Sequence, residues 1–169
     1  FIATLAPVFS TEEARAFITG QGVTNVDFKL ADAEDLPFED ASFDLVTCRI
    51  APHHFDSIPE FLAEAHRVLK PGATLAIVDN VVPAGAVGDY INAFERLRDP
   101  SHLRAWAIEE WRVAIKAAGF ELDHEEQLFK PMEFKSWAAR YDDIMKRFLS
   151  AMLTQTTPDV KALLEPKGD

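Results

Sequence analysis

The chain has 169 residues, 48% of them hydrophobic, and its 28 acidic against 17 basic side chains give a formal charge of -11. That length suits one domain with a substantial core, and so acidic a surface repels phosphate backbones, which argues against nucleic acid and leaves a neutral or cationic small substrate open. No apolar run approaches the roughly 20 residues that cross a bilayer, no charged leader opens the chain, and the single cysteine, Cys48, allows no internal disulfide and fits a reducing, cytoplasmic setting.

In chain order, the first predicted element is a helix over 10–17. Ser10 and Glu13 have capping-box spacing, and Gly20 with Gly22 supplies the stop. Residues 26–30 read as a short strand. Residues 43–48 are apolar almost throughout after Asp44, the pattern of a strand covered on both faces in a parallel sheet. A helix follows over 57–69, capped by Ser57, with Pro59 in its first turn and Glu60 completing the box. Its apolar stripe is Ile58, Phe61, Leu62, Ala65, Val68 and Leu69. Lys70-Pro71-Gly72 ends it, and 74–78 reads as a second buried strand closed by Asp79. Strand, helix and strand in this order form a right-handed crossover. The chain is therefore α/β, with a mostly parallel sheet.

Two amphipathic helices are predicted over 87–97 and 108–118, the second stopped by Gly119. Residues 120–122 read as another strand. Beyond Leu128 the pattern is helical again, over 134–140 and through Ile144, Met145, Phe148, Leu149 and Met152. The methionines there fit core or interface filling.

Residues 30–40 crowd Asp32, Glu34, Asp35, Glu39 and Asp40 into one loop. In an open parallel sheet, ligands sit beyond the carboxyl ends of the strands. Asp32, Arg49 and Asp79 each follow a predicted strand and should share that rim. A carboxylate there can accept from an exocyclic amine, and the amide of Ala33 can donate to a ring nitrogen, which would read adenine. Asp32 serving only as a turn cap remains the other reading. His53 and His54 also follow a strand. They fit either a general base or a helix-entry packing role. Trp106, Trp111 and Trp137 can wall an apolar pocket or fill the core. No His, Cys and carboxylate grouping has metal spacing.

Leu30-Ala31-Asp32-Ala33-Glu34-Asp35-Leu36-Pro37-Phe38, Ser42-Phe43-Asp44-Leu45-Val46 and His66-Arg67-Val68-Leu69-Lys70-Pro71-Gly72 together resemble the class I S-adenosylmethionine-dependent methyltransferases. The branch is the one resembling the ubiquinone/menaquinone-biosynthesis enzymes, and the likeness spans about 14–122. It implies a three-layer Rossmann-like fold in one domain over 1–169, with a substrate lid over 80–107 and a helical tail over 129–169. It also implies S-adenosylmethionine as cofactor, held by Asp32, Ala33, Glu34 and Arg49, and a small-molecule acceptor. His53 and His54 become the candidate bases, and His102 and Arg104 the substrate candidates in the lid. The helical tail offers a surface for a homodimer.

The chain departs from that pattern in three places. No strand followed by a G-x-G loop precedes the acid loop, Leu5 stands where a ribose-binding acid belongs, and no apolar strand follows Pro158. The missing strand is central in this fold, and an empty slot would expose unpaired backbone. Residues 1–5 filling that slot is the most economical arrangement. The departures favour an alternative, a non-catalytic relative that binds partners. An oxidoreductase on a similar sheet lacks its dinucleotide glycine fingerprint.

Overall fold

The computed structural model describes residues 2–3 and 11–164, in two compact units. The first comprises 1–79 with 113–121, and the second 80–112 with 122–169. The Ser10 cap and the Leu5 position lie outside the described residues.

In the first unit, β1 (Ile2–Ala3) pairs parallel with β2 (Asp27–Phe28), and α1 (Thr11–Gly20) runs between them. Strand β3 (Phe43–Arg49) pairs parallel with β4 (Leu69–Val78) across α2 (Ile58–Val68). This is the expected crossover. Helix α2 starts as its sequence dictates. The Ser57 hydroxyl accepts the Glu60 amide at 3.3 Å, and the buried face is Ile58, Phe61, Leu62, Ala65 and Val68. The ladder pairs Phe43 with Leu69 and then Leu45 with Thr74. Residues 70–73 therefore bulge out of register. Gly72 at φ 78 makes that bulge possible, and Lys70 ties it to Asp44 at 2.8 Å.

Three expectations need correction. Of residues 1–5, expected in a slot beside β3, the described Ile2 and Ala3 are instead registered with Asp27 and Phe28, and among the described residues the two strand pairs are separate sheets. Nor is the β3–β4 pair covered on both faces. Its residues alternate, and Leu45 and Val78 stand 51% and 49% exposed, because no described element packs over that side. Finally, 120–122 is not a strand. Residues 121–133 are exposed, and no described strand edge pairs with them.

The second unit carries α3 (Ala86–Arg98), α5 (Phe134–Trp137), α6 (Asp143–Thr154) and α7 (Pro158–Leu164), together with the first residues of α4 (Ile108–Ala117). Phe94, Ala138 and Leu149 form its core. The Trp137 ring stacks on Phe94 with centroids 5.4 Å apart, and the Arg98 guanidinium covers Trp137 at 4.9 Å. The helix expected over 134–140 stops at Trp137. The chain then turns, and Asp142 caps α6 by accepting the Met145 amide at 2.8 Å.

Leu62 is fully buried on α2, whereas Val113 on α4 is 70% exposed. Leu62→Ala should cost about 2–5 kcal/mol of unfolding free energy, and Val113→Ala less than about 0.5 kcal/mol, both read from denaturant midpoints. Equal costs would place the core of this unit elsewhere.

Candidate active site

The acid loop is built onto α2. Asp32 Oδ1 accepts the Glu34 amide at 2.9 Å, an Asx turn that orients its own carboxylate while the residue stays exposed. Glu34 turns the other way, and its Oε1 accepts the Ser57 amide at 2.9 Å, at the start of α2. Farther along, Arg67 gathers the loop. Its Nε and Nη2 hold Glu64 at 2.8 and 2.7 Å. Its Nη2 also reaches the Leu36 carbonyl at 2.9 Å, and its Nη1 the Phe38 carbonyl and Asp40 at 2.7 and 2.8 Å. The Leu36 amide returns to Glu64 at 2.8 Å. Hydrogen bonding from Arg67 holds the Glu64 carboxyl below its ordinary value, against the opposing effect of burial. Of the residues expected to face a cofactor, Asp32 is thus exposed and oriented, Ala33 is half-buried beside it, and Glu34 is engaged with α2.

The carboxyl ends of β3 and β4 lie together because the pair is parallel. Arg49 ends β3 with its side chain exposed. Ile50 follows at φ 50, a conformation that costs a β-branched residue about 1–3 kcal/mol. Its amide donates to the Val78 carbonyl at 2.7 Å. A short helical turn, Pro52–His54, carries both histidines. His53 Nδ1 lies 2.6 Å from Asp79 Oδ1, and the two side chains are only 5% and 3% exposed. The half-buried His54 lies against His53 with ring centroids 4.1 Å apart. Below them, burial and then the Asp79 charge push the Cys48 thiol up to about 12, which makes it inert rather than nucleophilic. The structure therefore gathers Arg49, His53, His54 and Asp79. The Glu34–Ser57 bond fastens the acid loop to the segment that leaves the His53–His54 turn.

In the second unit His102 is 2% exposed, and its Nε2 donates to Asn92 Oδ1 at 2.8 Å. Asn92 Oδ1 also accepts the Ala105 amide at 2.7 Å, and Asn92 Nδ2 donates to the Ala105 carbonyl at 3.0 Å. His102 is thus held inside the unit. Arg104 is placed differently, half-exposed above the Trp106 ring and paired with Glu110 at 2.6 Å. Burial alone would raise the Glu110 carboxyl, but the Ala107 amide and Arg104 outweigh it and hold the group below its ordinary value. A cleft of about 240 Å³ opens here, lined by Pro83, Gly85, Asp89, Asn92, Arg104 and Glu110 among others.

Residues 8–77 match the family described as a methyltransferase domain. The uncharacterized methyltransferase YcgJ of Bacillus subtilis is 38% identical over 130 residues, 76% of this chain and 51% of that protein. The crystal structure of YcgJ superposes with a TM-score of 0.89 at 32% identity, covering 96% of this chain and 70% of that one. A candidate methyltransferase of Bacillus halodurans superposes at 0.92 with 35% identity, over 99% of this chain and 74% of that one. The chain belongs to the class I S-adenosylmethionine-dependent methyltransferases. It spans about half the length of the curated relatives it matches. The Rossmann-like methyltransferase fold expected from its three motif blocks is the fold it has.

Sequence reasoning set Asp79 and His53 on one rim of the sheet but did not pair them. It missed Arg67 and Asn92 altogether. Arg67 had one visible signal, a position three residues after Glu64 on the same helix face. Asn92 had none beyond being polar within an apolar helix stripe.

Replacing Arg67 with Met should raise amide exchange at residues 34–40 about tenfold or more while the β3–β4 ladder stays protected. Because the folded Glu64 carboxyl lies below its ordinary 4.5, its pairing stabilises the fold above that pH and is lost as pH falls through the lowered value. The variant should therefore lose stability less steeply than the wild type below about pH 4.5 in acid denaturation. An unchanged exchange pattern would show that the loop holds without the guanidinium.

Proposed function

We propose that this protein transfers a methyl group from S-adenosylmethionine to a small-molecule acceptor, working as a single methyltransferase-like domain over 1–169. One observation carries the reading: an oriented, exposed Asp32 on a loop fastened to the turn that holds Arg49 and the buried His53–Asp79 pair. The residues present fit the nucleoside end of the cofactor. Asp32 would accept from the exocyclic amine, and Ala33 is too small to cover a ring and would offer its amide. Arg49 would meet the carboxylate of the methionine end, for which a guanidinium is suited.

When bound, S-adenosylmethionine supplies a sulfonium methyl that is already electrophilic. The protein's task is then alignment and water exclusion. His53 would serve an oxygen acceptor as base. With Nδ1–H donated to Asp79, the tautomer puts the basic lone pair on Nε2. His54, against the same ring, would shape that face of the site. Residues 80–107 act as the substrate-selecting segment, where Arg104 meets a polar group of the acceptor and His102 holds the segment's shape through Asn92. The lone, inert Cys48 supports a reducing, cytoplasmic setting.

A second reading, a binding or dimerisation module that keeps the fold without the chemistry, has its own support. Ile144 and Phe148, one turn apart on α6, are 59% and 61% exposed, a stripe suited to pairing with a second copy. Thermal unfolding with S-adenosylhomocysteine separates the two. The enzyme reading expects a rise in Tm that Asp32→Ala weakens about tenfold in ligand concentration, while Glu39→Ala on the same loop leaves it unchanged. Absence of any shift at saturating ligand, with a dimer in solution, would favour the module.

A further inference from the structure

The exit of β3 holds two features that neither the strand ladder nor the acid loop requires. Ile50 is β-branched yet sits at φ 50, a region glycine takes freely and a branched side chain does not. Three residues later His53 is gripped at 2.6 Å by Asp79 from the exit of β4, with both side chains inside the fold. These contacts are next to each other in the chain. The Ile50 amide donates to the Val78 carbonyl at 2.7 Å, and Asp79 directly follows Val78. The two bonds close a small ring through residues 50–53 and 78–79. Within it, Pro52 fixes its own φ and narrows the choices of Ala51. A left-handed isoleucine persists only where its surroundings over-determine it, and this ring supplies that constraint.

We infer that Asp79 is a positioning residue: by holding His53 it keeps Ile50 left-handed, and that backbone shape aims Arg49 and the amide of Ala51 at the cofactor edge of the sheet. The second half rests on the cofactor reading above, and the first does not. If the pair merely added stability, breaking it would lower Tm and leave the turn as it is.

The test uses the full chain labelled for NMR. The φ of residue 50 is read from its three-bond amide coupling and carbon shifts, and S-adenosylhomocysteine affinity is read by calorimetry. Asp79→Ala and His53→Ala should each swing Ile50 to negative φ and weaken the ligand about tenfold. Asp79→Asn can still accept from His53 and should stay closer to the wild type. Adding Ile50→Gly to Asp79→Ala should return affinity to within about threefold of the wild type, because glycine holds the turn without the latch. Should Asp79→Ala fail to fold, Ile50→Gly should restore folding in the same way.

A folded Asp79→Ala chain with residue 50 still left-handed would overturn the inference. So would a loss of affinity or of folding that Ile50→Gly does not relieve. A wild-type chain that binds no S-adenosylhomocysteine, with variants that still swing residue 50 to negative φ, would keep the latch and remove the cofactor reading.

Discussion

Every guanidinium hydrogen of Arg67 has an acceptor, and the acid loop has its shape because of it. An arginine offers five donors in a fixed planar fork. Here two go to Glu64, two to the carbonyls of Leu36 and Phe38, and one to Asp40. The arrangement offsets two costs at once. It neutralises part of a loop dense in carboxylates, on a chain whose charge is already -11. It also gives the carbonyls of Leu36 and Phe38 a guanidinium donor where the chain leaves β2 and joins no described ladder. Glu64 closes the circuit by receiving the Leu36 amide. Carboxylates that would otherwise repel one another are thereby sorted. Asp40 pairs, Glu34 caps a helix, and the exposed Asp32 is oriented by its own turn.

The same sorting governs the strand ends. Parallel pairing sets the exits of β3 and β4 side by side, but a rim needs more than adjacent strands to keep one shape. Here a side-chain bond and a backbone bond close the rim from both directions, at His53–Asp79 and Ile50–Val78. Such a pair is expensive to remove from water, and in a low dielectric it must be well satisfied or it destabilises. Its burial beside an inert Cys48 and a left-handed isoleucine marks the place where the fold departs from local preference. The handover to the acid loop is equally direct. Ser57 begins α2 just after the histidine turn, and its amide belongs to Glu34. Loop, turn and helix start therefore form one connected hydrogen-bonded structure.

The second unit repeats the principle. Asn92 uses both ends of its amide on the backbone of Ala105, and the same oxygen receives His102. Glu110 is shared between the Ala107 amide, at the start of α4, and Arg104. The direction of that cation is accordingly set by the cap of a helix. A long, flexible side chain is held on the cleft wall without being buried, which keeps the entropy of ordering it out of any later binding step. Gly88 contributes by omission, since a Cβ there would meet the Pro83 carbonyl at 1.9 Å and push the cleft loop off α3.

What could be read from the amino acids and what could not divide along the distance between partners. Helix α2 was legible because cap, proline, stripe and stop all lie within residues 57–72, although Leu69, expected on its stripe, begins β4. Strands β3 and β4 were legible because apolar runs carry their own signal, but Lys70-Pro71-Gly72, read as the end of the helix, lies in a bulge of β4. The misses at the acid loop and the strand ends are long-range. Arg67 meets the loop 27 to 31 residues away, and His53 meets Asp79 across 26. No periodicity encodes which carboxylate a guanidinium will choose. The strand expected over 120–122 failed for a related reason: a run with strand composition becomes a strand only if an edge is there to pair with it. The exposed faces of Leu45 and Val78 make the converse point. Their apolar pattern predicts cover on both sides, whereas the described elements supply it on only one.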